Sequence, residues 1–107
     1  MKLVLAIVSG EDSAKVSGAL TNGGFMVTKL ATTGGFLLAG NSTFIIGTDD
    51  DKVPEIIEII RENSRTRKQM LSSSGSYGLG MFASSPIEVQ VGGATVFVLD
   101  VEQFHKL

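Results

Sequence analysis

The sequence predicts an α+β fold in which an antiparallel sheet carries two helices on one face. Three observations lead there. Residues 3–8, 44–46 and 94–99 are apolar runs of strand length, two other stretches repeat apolar residues at helical spacing, and the elements alternate in the order β-α-β-β-α-β. A chain of 107 residues has room for one hydrophobic core, so a single domain spanning 1–107 is expected.

The first strand is residues 3–8, rich in β-branched side chains and closed by Ser9-Gly10. Ser9-Gly10-Glu11-Asp12 has the form of a capping motif, after which Val16, Ala19 and Leu20 recur at helical spacing up to the stop signal Gly23-Gly24. Residues 25–33 are dense in β-formers and residues 41–47 form another strand, with Thr33-Gly34-Gly35-Phe36-Leu37-Leu38-Ala39-Gly40 as the decorated loop of a short hairpin. Asp49-Asp50-Asp51 precedes Val53, Ile56, Ile57 and Ile60, and Arg61, Arg65, Arg67 and Lys68 follow. Acid therefore opens and base closes a second helix, as the helix dipole favours. Pro54 fits its first turn, where the missing N–H has no intrahelical partner.

From residue 69 to residue 86 the composition turns to serine and glycine, with Leu71, Tyr77, Met81 and Phe82 scattered without period, which predicts a long flexible loop. Ile87, Val89 and Val91 then alternate with Glu88 and Gln90, Gly92-Gly93 supplies a two-residue turn, and residues 94–99 form the last strand of a final hairpin. Asp100-Val101-Glu102-Gln103 reads as a further capping box opening a short terminal turn around Phe104. This order is the ferredoxin-like arrangement. Two helices cover one side of such a sheet, yet three strands are apolar on consecutive residues, so a second copy of the sheet is the natural cover and a cyclic oligomer is expected; the alternative is a small monomer patterned too hydrophobically.

Composition narrows the function. The apolar fraction of 43% and charged fraction of 19% are those of a globular chain. Without cysteine there is no disulfide framework or thiolate metal site. The opening Met-Lys-Leu-Val-Leu-Ala-Ile-Val-Ser-Gly is too short an apolar run for a signal peptide or membrane span, so the cytoplasm is expected. A net charge of -2 argues against bulk nucleic acid or an anionic membrane as partner, and no segment has the aromatic-rich signature of an RNA-recognition motif. His105 is the only histidine, with no carboxylate partner in local spacing, so no catalytic residue, metal site or cofactor is assigned and a non-enzyme is expected. The aspartate run lacks the staggered ligands of a calcium loop and reads as a solvated helix start.

The hairpin of residues 29–43 carries the binding signal. Its paired glycines let backbone N–H groups approach a ligand, Phe36 and Leu37 offer a surface for a flat base, and Thr28 and Asn41 supply polar edges. On spacing alone an apolar loop tip packed against a neighbouring subunit is an equal reading.

Val27-Thr28-Lys29-Leu30-Ala31-Thr32-Thr33-Gly34-Gly35-Phe36-Leu37, Gly40-Asn41-Ser42-Thr43-Phe44 and Glu88-Val89-Gln90-Val91-Gly92-Gly93-Ala94-Thr95-Val96-Phe97-Val98 resemble the PII-like cyclic di-AMP receptor family of bacterial signal-transduction proteins over nearly the whole chain. The resemblance implies a non-catalytic ferredoxin-like homotrimer that binds cyclic di-AMP in clefts between subunits, near the bases of two loops. By position it implies Thr28, Gly35, Phe36, Leu37, Asn41, Gly47 and Phe97 as ligand-binding residues: Phe36 and Leu37 against the adenines, Thr28 and Asn41 as polar contacts, Gly47 leaving room for a base. The chain departs from the family where Gly24-Phe25-Met26 replaces an Asn-Phe-Arg stretch, where Lys106 replaces a glutamine, and where Ser9-Gly10 replaces a Gln-Asp pair. Gly24, Met26 and Lys106 are thus candidate binding positions with altered chemistry. A second reading is a trimeric protein-interaction scaffold with weakened or lost nucleotide binding.

Overall fold

A computed structural model of the chain describes residues 1–30, 40–71 and 87–107. Strand β1 (Lys2–Ser9) leads through a 3-10 turn (Gly10–Asp12) into helix α1 (Ser13–Asn22). Strands β2 (Val27–Leu30) and β3 (Asn41–Thr48) precede a second 3-10 turn (Asp50–Lys52) and helix α2 (Val53–Asn63). Strands β4 (Arg67–Leu71), β5 (Ile87–Val91) and β6 (Ala94–Asp100) complete the order.

The main sheet runs β2-β3-β1-β6, every neighbouring pair antiparallel, which is the strand order of a ferredoxin-like sheet. Alternation along β1 sends Val4, Ala6 and Val8 toward the helices, where they are at most 1% exposed. Phe44 and Ile46 of β3, Val16 and Leu20 of α1, and Ile56 and Ile60 of α2 close the same core. Each such side chain contributes roughly 1.5–3 kcal/mol on burial, and the 3.6-residue period of both helices is what aligns them over one face.

Four expectations are corrected. First, Gly92-Gly93 does not close a hairpin between β5 and β6: β5 pairs with β4 in a separate two-stranded sheet, while β6 pairs with β1. Both glycines do take positive φ, +85° and +86°, but they carry the chain from one sheet to the other across the end of α2. Gly93 donates its N–H to the Ser64 carbonyl at 2.5 Å, and a Cβ on Gly92 would collide with the Arg65 carbonyl oxygen. Second, Gln69 to Leu71, with Arg67 and Lys68, belong to β4 rather than to a loop or a helix end; residues 72–86 lie outside the described residues.

Third, Ser9 does not cap its helix with a side-chain hydrogen bond. Ser9 remains in the β1 ladder opposite Asn41, and each helix is entered through a 3-10 turn instead. Fourth, no helical turn forms beyond Asp100: the Val101 N–H is donated to the Met1 carbonyl at 3.2 Å, which keeps the segment alongside β1.

Candidate functional site

The face of the sheet turned away from the helices is set by the same alternation that builds the core. It carries Leu3, Leu5 and Ile7 of β1, Asn41, Thr43, Ile45 and Gly47 of β3, Thr28 and Leu30 of β2, and Thr95, Phe97 and Leu99 of β6. The β1 residues here are only half-buried, and Phe97 and Leu99 are exposed. Edge strand β6 is apolar on both faces and Val98 is also exposed, as expected of a strand that presents itself to another surface.

Of the described site candidates, Thr28, Asn41, Gly47 and Phe97 sit on this face, but not at one point. Thr28 pairs with Ile45, Ile45 with Leu5 and Leu5 with Phe97, so Thr28 and Phe97 occupy the two ends of one cross-strand row, separated by three strand spacings of about 4.8 Å each. Asn41 and Gly47 stand at opposite ends of β3, about 20 Å apart at the rise of an extended strand.

Asn41 and Gly47 each line a cleft, whereas Thr28 and Phe97 line neither. At one end Asn41 lines a cavity of about 300 Å³ with Ile7, Ser9, Gly92, Gly93 and Thr95. At the other, Gly24, Met26 and Gly47 line a cavity of about 360 Å³ together with Asp49 and Lys52. Gly24 lies just beyond α1 with φ +90°, a conformation that allows the chain to turn into β2 beside Gly47. A Cβ on Gly47 would meet only the Met1 side chain, at 3.5 Å, so the wall there is open. Met26 is 88% exposed, and its thioether offers only weak acceptance. Lys52 is the basic side chain of this cleft, and Asp49 opposes it.

Lys106 lies exposed in the C-terminal segment and lines neither cleft. Gly35, Phe36 and Leu37 fall outside the described residues. His105 is exposed, its Nε2 3.1 Å from the Gln103 side-chain oxygen.

Sequence reasoning missed several groups. Ser9, Thr95 and the Gly92-Gly93 backbone join Asn41 only because β1, β3 and β6 are neighbours in the sheet, and Lys52 reaches the Met26 cleft through the turn before α2. Thr43 is 3% exposed with a buried hydroxyl that has no hydrogen-bond partner among the described residues. Its row neighbours are Leu30 and Ile7. The third miss is the ion pair between Arg67 and Asp12, 55 residues apart, for which no local spacing gives a signal. The hydrogen-bonded Asp12 carboxylate raises the Arg67 pKa above its ordinary value.

Among the described residues no helix is long and apolar enough to cross a membrane, and no group of three or more histidine, aspartate or glutamate side chains could hold a metal ion.

The family model described as a cyclic-di-AMP receptor matches residues 1–107. Among solved structures, the chain is similar to a functionally unknown protein from Pediococcus pentosaceus ATCC 25745 at 44% sequence identity, with a TM-score of 0.78, covering 99% of this chain and 96% of that one.

Proposed function

The chain belongs to the cyclic-di-AMP receptor family, a nucleotide-sensing signal family, and from that premise we propose that it binds cyclic di-AMP at clefts between the subunits of a homotrimer and relays occupancy to a protein partner without catalysis. The observation that carries the intersubunit part is the placement of Thr28 and Phe97 on one face but at opposite edges of the sheet. A ligand that meets both residue types without spanning the whole sheet takes the β2–β3 side from one copy and the β6 edge from the next. The apolar row between them, Ile45 and Leu5, is the surface that a neighbouring copy would cover.

In this reading Thr28 and Asn41 make polar contacts, Gly47 leaves room for a base, Phe97 comes from the adjoining subunit, and Gly35, Phe36 and Leu37 complete the adenine surface. Residues 72–86, joined to the body by β4 and β5, carry the response to a protein partner. A cytoplasmic location belongs to the same proposal.

Thermal unfolding with a panel of nucleotides tests it. A ligand that binds only the native state at a hundredfold above its Kd stabilises by about 2.7 kcal/mol. Cyclic di-AMP should raise the melting temperature, and linear mononucleotides should raise it less. Met26 and Gly24 favour a second reading, a trimeric interaction scaffold with weakened nucleotide binding, because the cleft they line has lost the donors of the family's asparagine and arginine. A panel with no stabilising nucleotide and an intact trimer would select it.

A further inference from the structure

One continuous chain of contacts joins the Asn41 end of the site to the β4–β5 ribbon. Gly10 donates its backbone N–H to the carbonyl of Gly40, the residue before Asn41. A Cβ on Gly10 would collide with that carbonyl oxygen, so the two backbones meet with no space between them. Two residues on, in the same 3-10 turn, Asp12 is 4% exposed and its carboxylate accepts two hydrogen bonds from Arg67, Nη1 to Oδ2 at 3.2 Å and Nη2 to Oδ1 at 2.9 Å. Arg67 opens β4, also donates from Nη1 to the Arg65 carbonyl at 3.1 Å, and has the Glu11 carboxylate 3.7 Å from Nη2.

We propose that Asp12 and Arg67 are a positioning pair that couples the ligand site at Gly40–Asn41 to the β4–β5 ribbon through the turn Gly10–Asp12. The role assigned to the ligand rests on the function proposed above; the coupling itself does not. A forked guanidinium held by both carboxylate oxygens fixes direction as well as distance. Asp12 is buried although Arg67 is 45% exposed, so displacing Arg67 leaves a buried carboxylate without its partner, which is more costly than breaking a pair exposed on both sides. A shift of the Gly40 carbonyl must therefore carry the turn and Arg67 with it, or break that pair. Packed elements of this kind move between discrete arrangements rather than stretching. By reciprocity, holding the ribbon in one arrangement changes ligand affinity as much as ligand changes the ribbon.

Hydrogen exchange on the full chain tests the coupling without ligand. Arg67→Gln should speed exchange at the Gly10 amide and across β4 and β5, while the amides of β1 that pair with β3 near Val4 keep wild-type rates. Arg67→Lys, which keeps the charge but not the fork, should fall between the two. The double variant Asp12→Asn with Arg67→Gln, which removes both charges, tests the same point should a lone buried carboxylate prevent folding. Unchanged exchange at Gly10 in all the folded variants would overturn the proposal. With cyclic di-AMP added, the wild type should slow exchange in β4 and β5, and Arg67→Gln should bind with affinity altered about fivefold or more and lose that response. A ribbon that responds equally in the variant also overturns the coupling. Absence of cyclic di-AMP binding by the wild type removes the nucleotide reading alone, and the ligand-free measurement still decides the pair.

Discussion

Leu5 and Phe97 are cross-strand partners on the sheet face that neither helix covers, with Leu5 half-buried and Phe97 52% exposed. Two large apolar side chains in register on a bare face are the residues that an assembly would bury first. Light scattering coupled to size exclusion should give about three times the mass of one chain, and Phe97→Asp should shift that mass downward while leaving the helical signal intact. A wild-type mass of one chain at micromolar concentration would falsify the trimer.

Met26 tests the ligand site most sharply. An arginine there would add charge-assisted hydrogen bonds, each contributing about 1.5–3 kcal/mol, so Met26→Arg should tighten cyclic di-AMP binding roughly ten- to a hundredfold. Because Met26 is 88% exposed, the substitution should leave the melting temperature of the free protein nearly unchanged. Calorimetry on both proteins measures the gain; equal affinities would show that the Gly24–Met26–Gly47 cleft does not meet the ligand.

Two glycines should respond in opposite directions to the same substitution. Gly18 lies exposed within α1 with nothing within 4 Å of a Cβ, so Gly18→Ala should stabilise by about 0.5–1 kcal/mol through helix propensity. Gly92 has φ +85° and packs on the Arg65 backbone, so Gly92→Ala should destabilise by about 1–3 kcal/mol or more and disturb the path from β5 to β6. Urea unfolding of both variants reads the difference, and a stable Gly92→Ala would refute the described crossing over α2.

Lys2 and Asp100 face each other across β1 and β6 and form an ion pair. The hydrogen bond to Asp100 raises the Lys2 pKa above the usual 10.5. A raised pKa in a cationic group means stabilisation that is fully present below the unfolded value and lost as pH rises through the folded one. The melting-temperature advantage of the wild type over Lys2→Gln should thus be constant from neutral pH to about pH 10 and shrink beyond 10.5. Added salt should reduce it at neutral pH, since Asp100 is exposed and Lys2 only half-buried. An advantage that instead vanishes near neutrality would exclude this pair as its source.

Among the described residues Phe44 is the largest fully buried side chain, flanked on the helix face by Ala6 of β1 in its register. Phe44→Ala should cost about 3–5 kcal/mol, a large part of the stability of a domain this size. Chemical denaturation is the measurement, and a loss under about 1 kcal/mol would place the core elsewhere.

Much of this protein is legible in the sequence because it depends on periodicity. The three apolar runs, the spacing of Val16 with Leu20 and of Ile56 with Ile60, and the order of elements determine an antiparallel sheet with two helices on one face, and the excess of apolar strand residues announces the bare second face. Thr28 and Asn41 were legible as polar edges of the hairpin and Gly47 and Phe97 only through the family resemblance; that all four share the uncovered face follows from the strand registers. The tertiary structure alone decided which strand β5 joins. Gly92-Gly93 is as good a hairpin turn as any in the sequence, but β6 is held by β1 and the Gly93 amide by Ser64, so β5 is left to β4. It alone joined Arg67 to Asp12 and gathered Ser9, Asn41 and Thr95 into one cleft. Those outcomes depend on contacts between residues tens of positions apart, where chain closure rather than local spacing sets who meets whom, and no window of sequence carries that information.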